Sequence, residues 1–166
     1  MLALRAEKTP RAIRCVARIA RRCLLILLLT NVSALADVTG AQVKRAIQTG
    51  VRVVNRMQMP DGNWPQNHYP GGETCLATLA LLQAGEPVDS APIGSALKNI
   101  ARLPNQHVYV VSLKIMALAQ AAANRYKREI GGAARWLIDA QFESGLWGYT
   151  QSPGPADNSN SQFALL

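Results

Sequence analysis

The chain has 166 residues, a formal charge of +8 and 49% hydrophobic residues, enough for one domain with a packed core. The charge is unevenly spread: residues 1–36 hold Lys8 and six arginines against Glu7, 7 − 1 = +6, which leaves only +2 for the rest. No Lys/Arg cluster survives beyond residue 36, so a nucleic-acid partner finds no electrostatic footprint there.

The first 36 residues read as an export signal. A basic stretch precedes Leu24-Leu25-Ile26-Leu27-Leu28-Leu29, and Ala34-Leu35-Ala36 follows just before Asp37. Basic region, apolar run and A-x-A is the order of a cleavable secretory signal. The apolar run is broken by Thr30, Asn31 and Ser33 and falls short of the ~20 residues of a spanning helix. An uncleaved anchor is the alternative, and it is the only membrane contact the sequence suggests. The protein is therefore expected in the periplasm, at the cell surface or outside the cell. Cys15 and Cys23 leave with the leader, so Cys75 stands alone and no disulfide can form. Its apolar neighbours predict an inert, buried thiol.

From Asp37 onward the pattern is helical, with no credible strand alternation. The first helix is predicted over 41–57, with Val43, Ile47, Gly50, Val51, Val54 and Gln58 on one face. Pro60 and Gly62 end it. A second helix follows over 73–84, closed by Gly85. Ser90 and Pro92 open a third, which runs to Leu103. The fourth spans 107–122. The fifth spans 127–141, with Ile130, Ala133, Ala134, Leu137, Ile138 and Gln141 on one face. A Gly/Pro/Ser-rich loop leads to a sixth helix, in which Gln162-Phe163-Ala164-Leu165-Leu166 is aligned with Thr78-Leu79-Ala80-Leu81-Leu82, one residue having been inserted in the loop. The chain stops inside that helix on apolar residues, which reads as truncation of a longer array.

These helices pair into three hairpins, about 41–85, 91–122 and 127–166, and two of the three carry one pattern. Gln58, Gly62 and Trp64 follow Val53-Val54; Gln141, Gly145 and Trp147 follow Trp136-Leu137. The differences 141 − 58, 145 − 62 and 147 − 64 all equal 83. Half of 83 is a normal length for a two-helix repeat, which needs neighbours to bury its apolar stripe. The middle hairpin keeps the helices and lacks the Gln and Gly-x-Trp loop. A structural role is the expectation for Gln58 and Gln141: an amide near a helix end can bond free backbone groups, and the indole can shield that contact from water.

The Gln…Gly-x-Trp pattern after an amphipathic helix resembles the repeat of the squalene cyclase and protein prenyltransferase superfamily, and the tail from Trp147 resembles its secreted bacterial multi-repeat members. The resemblance implies an all-α, α/α toroid-type fold with alternating outer and inner helices, here incomplete. It implies no activity by itself. The Asp-x-Asp-Asp acid of squalene-type cyclases, the Asp-Asp-x-x-Asp run of ionisation-type cyclases and the Cys-Gly-Glu-Gln motif of thioester domains are all missing. Nine aromatic residues are few for a carbocation cavity. The prenyltransferase branch suggests zinc, for which His68, Glu73, Cys75 and His107 are the available candidates. Glu73 and Cys75, two residues apart, point to different helix faces, so no metal or other cofactor is assigned. Asp157 is expected to cap the sixth helix, with a place at the mouth of a central cavity as the alternative. The resulting expectation is an exported binding or scaffolding module for an apolar, glycan or protein ligand. The alternative is part of an isoprenoid enzyme whose catalytic residues lie in other repeats.

Overall fold

The computed structural model describes residues 38–166; the leader expected over 1–36 lies outside them. Six α-helices follow in order: α1 Gly40–Met57, α2 Gly72–Gln83, α3 Ala91–Arg102, α4 Val108–Ala122, α5 Lys127–Asp139 and α6 Asn158–Leu165. The described residues contain no strand, and no described helix is long and apolar enough to cross a membrane.

The helices form two layers. The even-numbered ones pack in sequence, α2 on α4 and α4 on α6, while α3 packs on α2 and α4, and α5 on α4. The sequence of α4 suits this central place. It is apolar all round rather than on one stripe, and Val108, Val110, Val111, Leu113, Ala117 and Leu118 are all buried. Leu81, Ile93, Leu97, Ile100, Leu113 and Leu118 join α2, α3 and α4 in one core, and a second core sets Val108 and Val111 against Ala133, Leu137 and Trp147.

Both Gln…Gly-x-Trp segments fold into the same clasp. Gln58 Nε2 donates to Gly62 O (3.0 Å) and Gln141 Nε2 to Gly145 O (2.8 Å). Gly62 and Gly145 take φ of 86° and 80°, which lets the turn reverse tightly enough for that bond. The indole N–H groups reach back to the preceding helix, Trp64 Nε1 to Val54 O (2.8 Å) and Trp147 Nε1 to Leu137 O (2.7 Å). The main-chain N–H groups reach forward, Trp64 N to Thr74 Oγ1 (3.1 Å) and Trp147 N to Ser161 Oγ (3.0 Å). The division of labour differs from the expectation. It is the indole that serves one of the helix's last four carbonyls, while the amide closes the turn.

The Thr74–Ser161 equivalence also corrects the alignment of the last helix. Trp64 and Thr74 are 10 residues apart, Trp147 and Ser161 are 14 apart, so the second loop is longer by four residues rather than one. Apolar pattern alone could not see this, because a slip of three to four residues leaves a helix face unchanged.

The middle hairpin solves the same problem with a different group. Lys114 on α4 is buried, and its Nζ donates to Leu103 O (2.7 Å), just past α3, and to Asn105 Oδ1 (3.1 Å). Burial among neutral acceptors pushes its pKa below the usual lysine value. An ammonium from the inner helix thus takes the place of the indole.

The outer end of the array departs from the amphipathic prediction. Val51 and Val54 of α1 pack on the core, but Val43 and Ile47 are 45% and 47% exposed, and Ile47 only lines an open groove with Ala80, Leu81 and Ala84 at the end of α2. Leu165 and Leu166 are exposed as well.

Candidate functional site

The N-terminal ends of α2, α4 and α6 meet around an aromatic cleft of about 210 Å³. Tyr69 comes from the turn before α2, His107 from the N-cap of α4 and Tyr109 from its first turn. Tyr149 comes from the long loop, and Ser159, Asn160 and Phe163 from α6. The inner layer brings these parts together: α4 sits between α2 and α6, so the starts of all three helices face one space.

The rings stand at steep angles. Tyr69 meets His107 at 5.1 Å and 65°, and Tyr109 meets Phe163 at 4.8 Å and 85°. Such edge-to-face pairs are favoured by the ring quadrupole and hold the walls in place. Two carboxylates lie beside them. Glu73 Oε1 accepts from Asn67 N (3.0 Å), and its Oε2 is buried with no hydrogen-bond partner in the protein. Burial, and then the Glu73 charge, raises the Tyr109 pKa. Asp157 caps α6: its Oδ1 accepts from Asn160 N (2.7 Å), Asn160 Nδ2 (2.9 Å) and Ser159 Oγ. Its Oδ2 accepts from Tyr149 Oη (3.3 Å). These bonds, that from Ser159 first, hold its carboxyl below the ordinary value of 3.8, and its charge in turn raises the pKa of Tyr149.

Asn160 is only 4% exposed, and its Oδ1 has no partner in the protein; nor has the buried Nδ1 of His107. The Asn160 amide cannot simply turn over to mend this. Its Nδ2 faces a carboxylate that can only accept, so Oδ1 is left as a buried acceptor without a partner.

The residues singled out in the sequence scatter around this site. His107 lines the cleft and Asp157 stands behind it, while Glu73 lies close enough to act on Tyr109. His68 is exposed, and Cys75 is fully buried in the core. The four zinc candidates do not converge, and among the described residues no three His, Cys, Asp or Glu side chains are placed to hold a metal ion. Tyr69, Tyr109, Tyr149, Asn160 and Phe163 were not singled out from the sequence. A signal was there for three of them: 109 − 69 and 149 − 109 both equal 40, close to half the repeat offset of 83. Asn160 and Phe163 join them only through the helix layering.

No protein-family model, curated protein or solved structure matches the chain.

Cys75 and Asp157 each carry a prediction. Burial pushes the Cys75 thiol up to about 12, so it stays protonated and unreactive at neutral pH. Alkylation of the folded protein, read by peptide mass mapping, should spare Cys75 until denaturant is added; labelling without denaturant would contradict its burial. Asp157→Ala should fray α6, seen as faster amide exchange at Asn160 and Ser161. The folded-state pKa of Asp157 is depressed, so its contribution is present above the unfolded value and is lost as pH falls through the folded one. The variant should therefore lose part of the wild-type stability decline below about pH 4. An unchanged acid limb would deny the cap its role.

Proposed function

We propose that the chain is an exported helical-repeat binding module of the squalene cyclase and prenyltransferase repeat type. Its ligand would sit in the cleft formed by the starts of α2, α4 and α6. The repeated clasp and the inner-outer layering support the toroid-type reading. The observation that carries the binding reading is the cleft itself: a recess of about 210 Å³ walled by Tyr69, His107, Tyr109, Tyr149 and Phe163. A concave recess walled by aromatic side chains with a few polar groups among them is the usual form of a small-ligand site.

A proton-donating enzyme is the weaker reading. Asp157, the acid best placed for it, is held ionised by its bonds to Ser159 and Asn160 and is occupied as a cap. An acid catalyst needs the opposite, a raised pKa.

A fragment map tests the binding reading. Small amines, alcohols and monosaccharides titrated into isotope-labelled protein should shift signals of Tyr69, His107, Tyr109, Asn160 and Phe163. Shifts confined to the α1–α2 groove around Ile47 and Leu81 would move the site elsewhere. Export has its own test: secreted protein should begin at Asp37, and mass measurement showing residues 1–36 still attached would replace cleavage with anchoring.

A further inference from the structure

We propose that the outward face of α1 lies on an anionic phospholipid bilayer, its arginines at the headgroups and its exposed apolar side chains in the interface. This surface is separate from the cleft and does not depend on it. Three features of the helix carry the assignment.

The first is charge. α1 holds Lys44, Arg45, Arg52 and Arg56 and no acidic residue, 4 − 0 = +4. Residues 58–166 hold seven Lys and Arg against eight Asp and Glu, 7 − 8 = −1. The four cations are spread over thirteen positions and form no run in the sequence; folding as a helix gathers three of them on one side. Among the described residues the ion pair is Arg128 with Glu129, so no described carboxylate neutralises α1 at contact distance.

The second is arrangement. Arg45-Ala46, Arg52-Val53 and Arg56-Met57 are basic–apolar pairs set seven and four residues apart. On a helix that spacing draws two parallel stripes about 100° from one another. Thr49 sits among the arginines: its Oγ1 donates to Arg45 O (2.9 Å) and accepts from Arg52 Nη2 (2.9 Å), while Arg56 Nε donates to Arg52 O (3.2 Å). These bonds lay the Arg52 and Arg56 side chains along the helix and leave most of their donors for phosphate.

The third is exposure. Val51 and Val54 hold one side of α1 on the core, so both stripes fall on the side turned away from it. Val53 and Met57, beside the arginines, are 43% and 54% exposed. Cations and apolar side chains on one open side suit a helix lying in the plane of an anionic membrane surface. No described helix is long and apolar enough to cross a membrane. A nucleic acid would use the arginines and leave Val53 and Met57 facing its phosphates, and α1 has no aromatic ring on which a base could stack. A second α1 packed against this face would set +4 against +4.

Lipid photolabelling of the full chain tests the assignment. The vesicles are equal parts phosphatidylglycerol and phosphatidylcholine, or phosphatidylcholine alone, each doped with a phosphatidylcholine carrying an acyl-chain diazirine. Peptide mass mapping then counts the crosslinks within 43–57; those at residues 1–36 are left out, so contact through the leader does not enter. Anionic vesicles should give at least about tenfold more crosslinks there than neutral ones, and about 0.5 M sodium chloride should remove most of them. Arg45→Gln/Arg52→Gln/Arg56→Gln should lower the yield about tenfold or more, since each cation near such a surface contributes about fivefold. Val53→Gln/Met57→Gln should lower it about fivefold. All five side chains are exposed, so both variants should keep the wild-type urea midpoint. No crosslinks within 43–57, equal yields on the two vesicles, or an unchanged yield in the arginine variant would overturn the assignment. So would a DNA duplex that protects the three arginines from phenylglyoxal where vesicles do not, or a dimer in sedimentation that the arginine variant dissolves. The cleft keeps its own test in every case.

Discussion

Trp64→Ala should cost about 3–5 kcal/mol, the range for deleting a buried aromatic ring. The side chain is 3% exposed and packs in the core shared by α2, α3 and α4. Its loss also strips Val54 O of the indole N–H at the end of α1. A domain of this size holds only about 5–15 kcal/mol in total, so the variant should lie near the edge of folding. Trp64→Phe separates the two effects. It keeps most of the apolar contact and loses the hydrogen bond, for about 1–2 kcal/mol. Trp147→Ala should behave like Trp64→Ala, since Trp147 is 6% exposed and makes the matching bond to Leu137 O. Urea midpoints at constant slope give the comparison. A loss below about 1 kcal/mol for Trp64→Ala would mean that the clasp does not hold the hairpin together.

Gly62→Ala and Gly145→Ala should differ although the glycines are equivalent in the repeat. Both take a left-handed φ, 86° and 80°, which costs an L-residue about 1–2 kcal/mol. The surroundings then separate them. A Cβ on Gly62 would overlap Ser95 Oγ and come within 2.8 Å of Ser95 Cβ and 3.3 Å of its backbone carbon, whereas one on Gly145 meets nothing within 4 Å. The hydroxyl can rotate away; the helix backbone behind it cannot. Overpacking of this kind adds about 1–3 kcal/mol. Gly62→Ala should therefore lose about 2–5 kcal/mol and Gly145→Ala about 1–2. Equal losses would show that the α1–α2 loop does not press on α3. The same asymmetry runs through the clasps. Gln58 Nε2 also donates to Pro92 O at 2.9 Å, and Asn99 Nδ2 donates to Asp61 O at 2.8 Å, so α3 covers the first turn. No described helix covers the second, and Gln141 and Leu146 are exposed.

Helix positions were close to legible in the sequence because their stops are chemical. Pro60, Gly62, Gly85 and Pro104 end or bound helices whatever packs nearby, and the observed limits fall within two residues of those expected in most cases. The clasp was legible because both of its copies keep the Gln-to-Trp spacing, and local hydrogen bonds depend on local spacing. The offset of the last helix was not, since Ser161 meets Trp147 across a loop whose length the apolar pattern does not register. Lys114 was missed for another reason. Nothing in a lysine within an apolar run says that its ammonium will turn to Leu103 O.

What the sequence determined alone is the all-helical character of the described residues and the recurrence of a turn held by an amide and an indole. Those depend on contacts within about fifteen residues, which spacing encodes directly. Only the tertiary structure decided that Tyr69, Tyr109, Tyr149, Asn160 and Phe163 share one recess, that Cys75 is sealed from it, and that Asp157 stands behind it as a cap. Those facts depend on which helix starts face the same space. That choice comes from the packing of α2 and α6 on the two sides of α4, which the even spacing of Tyr69, Tyr109 and Tyr149 echoes but does not fix.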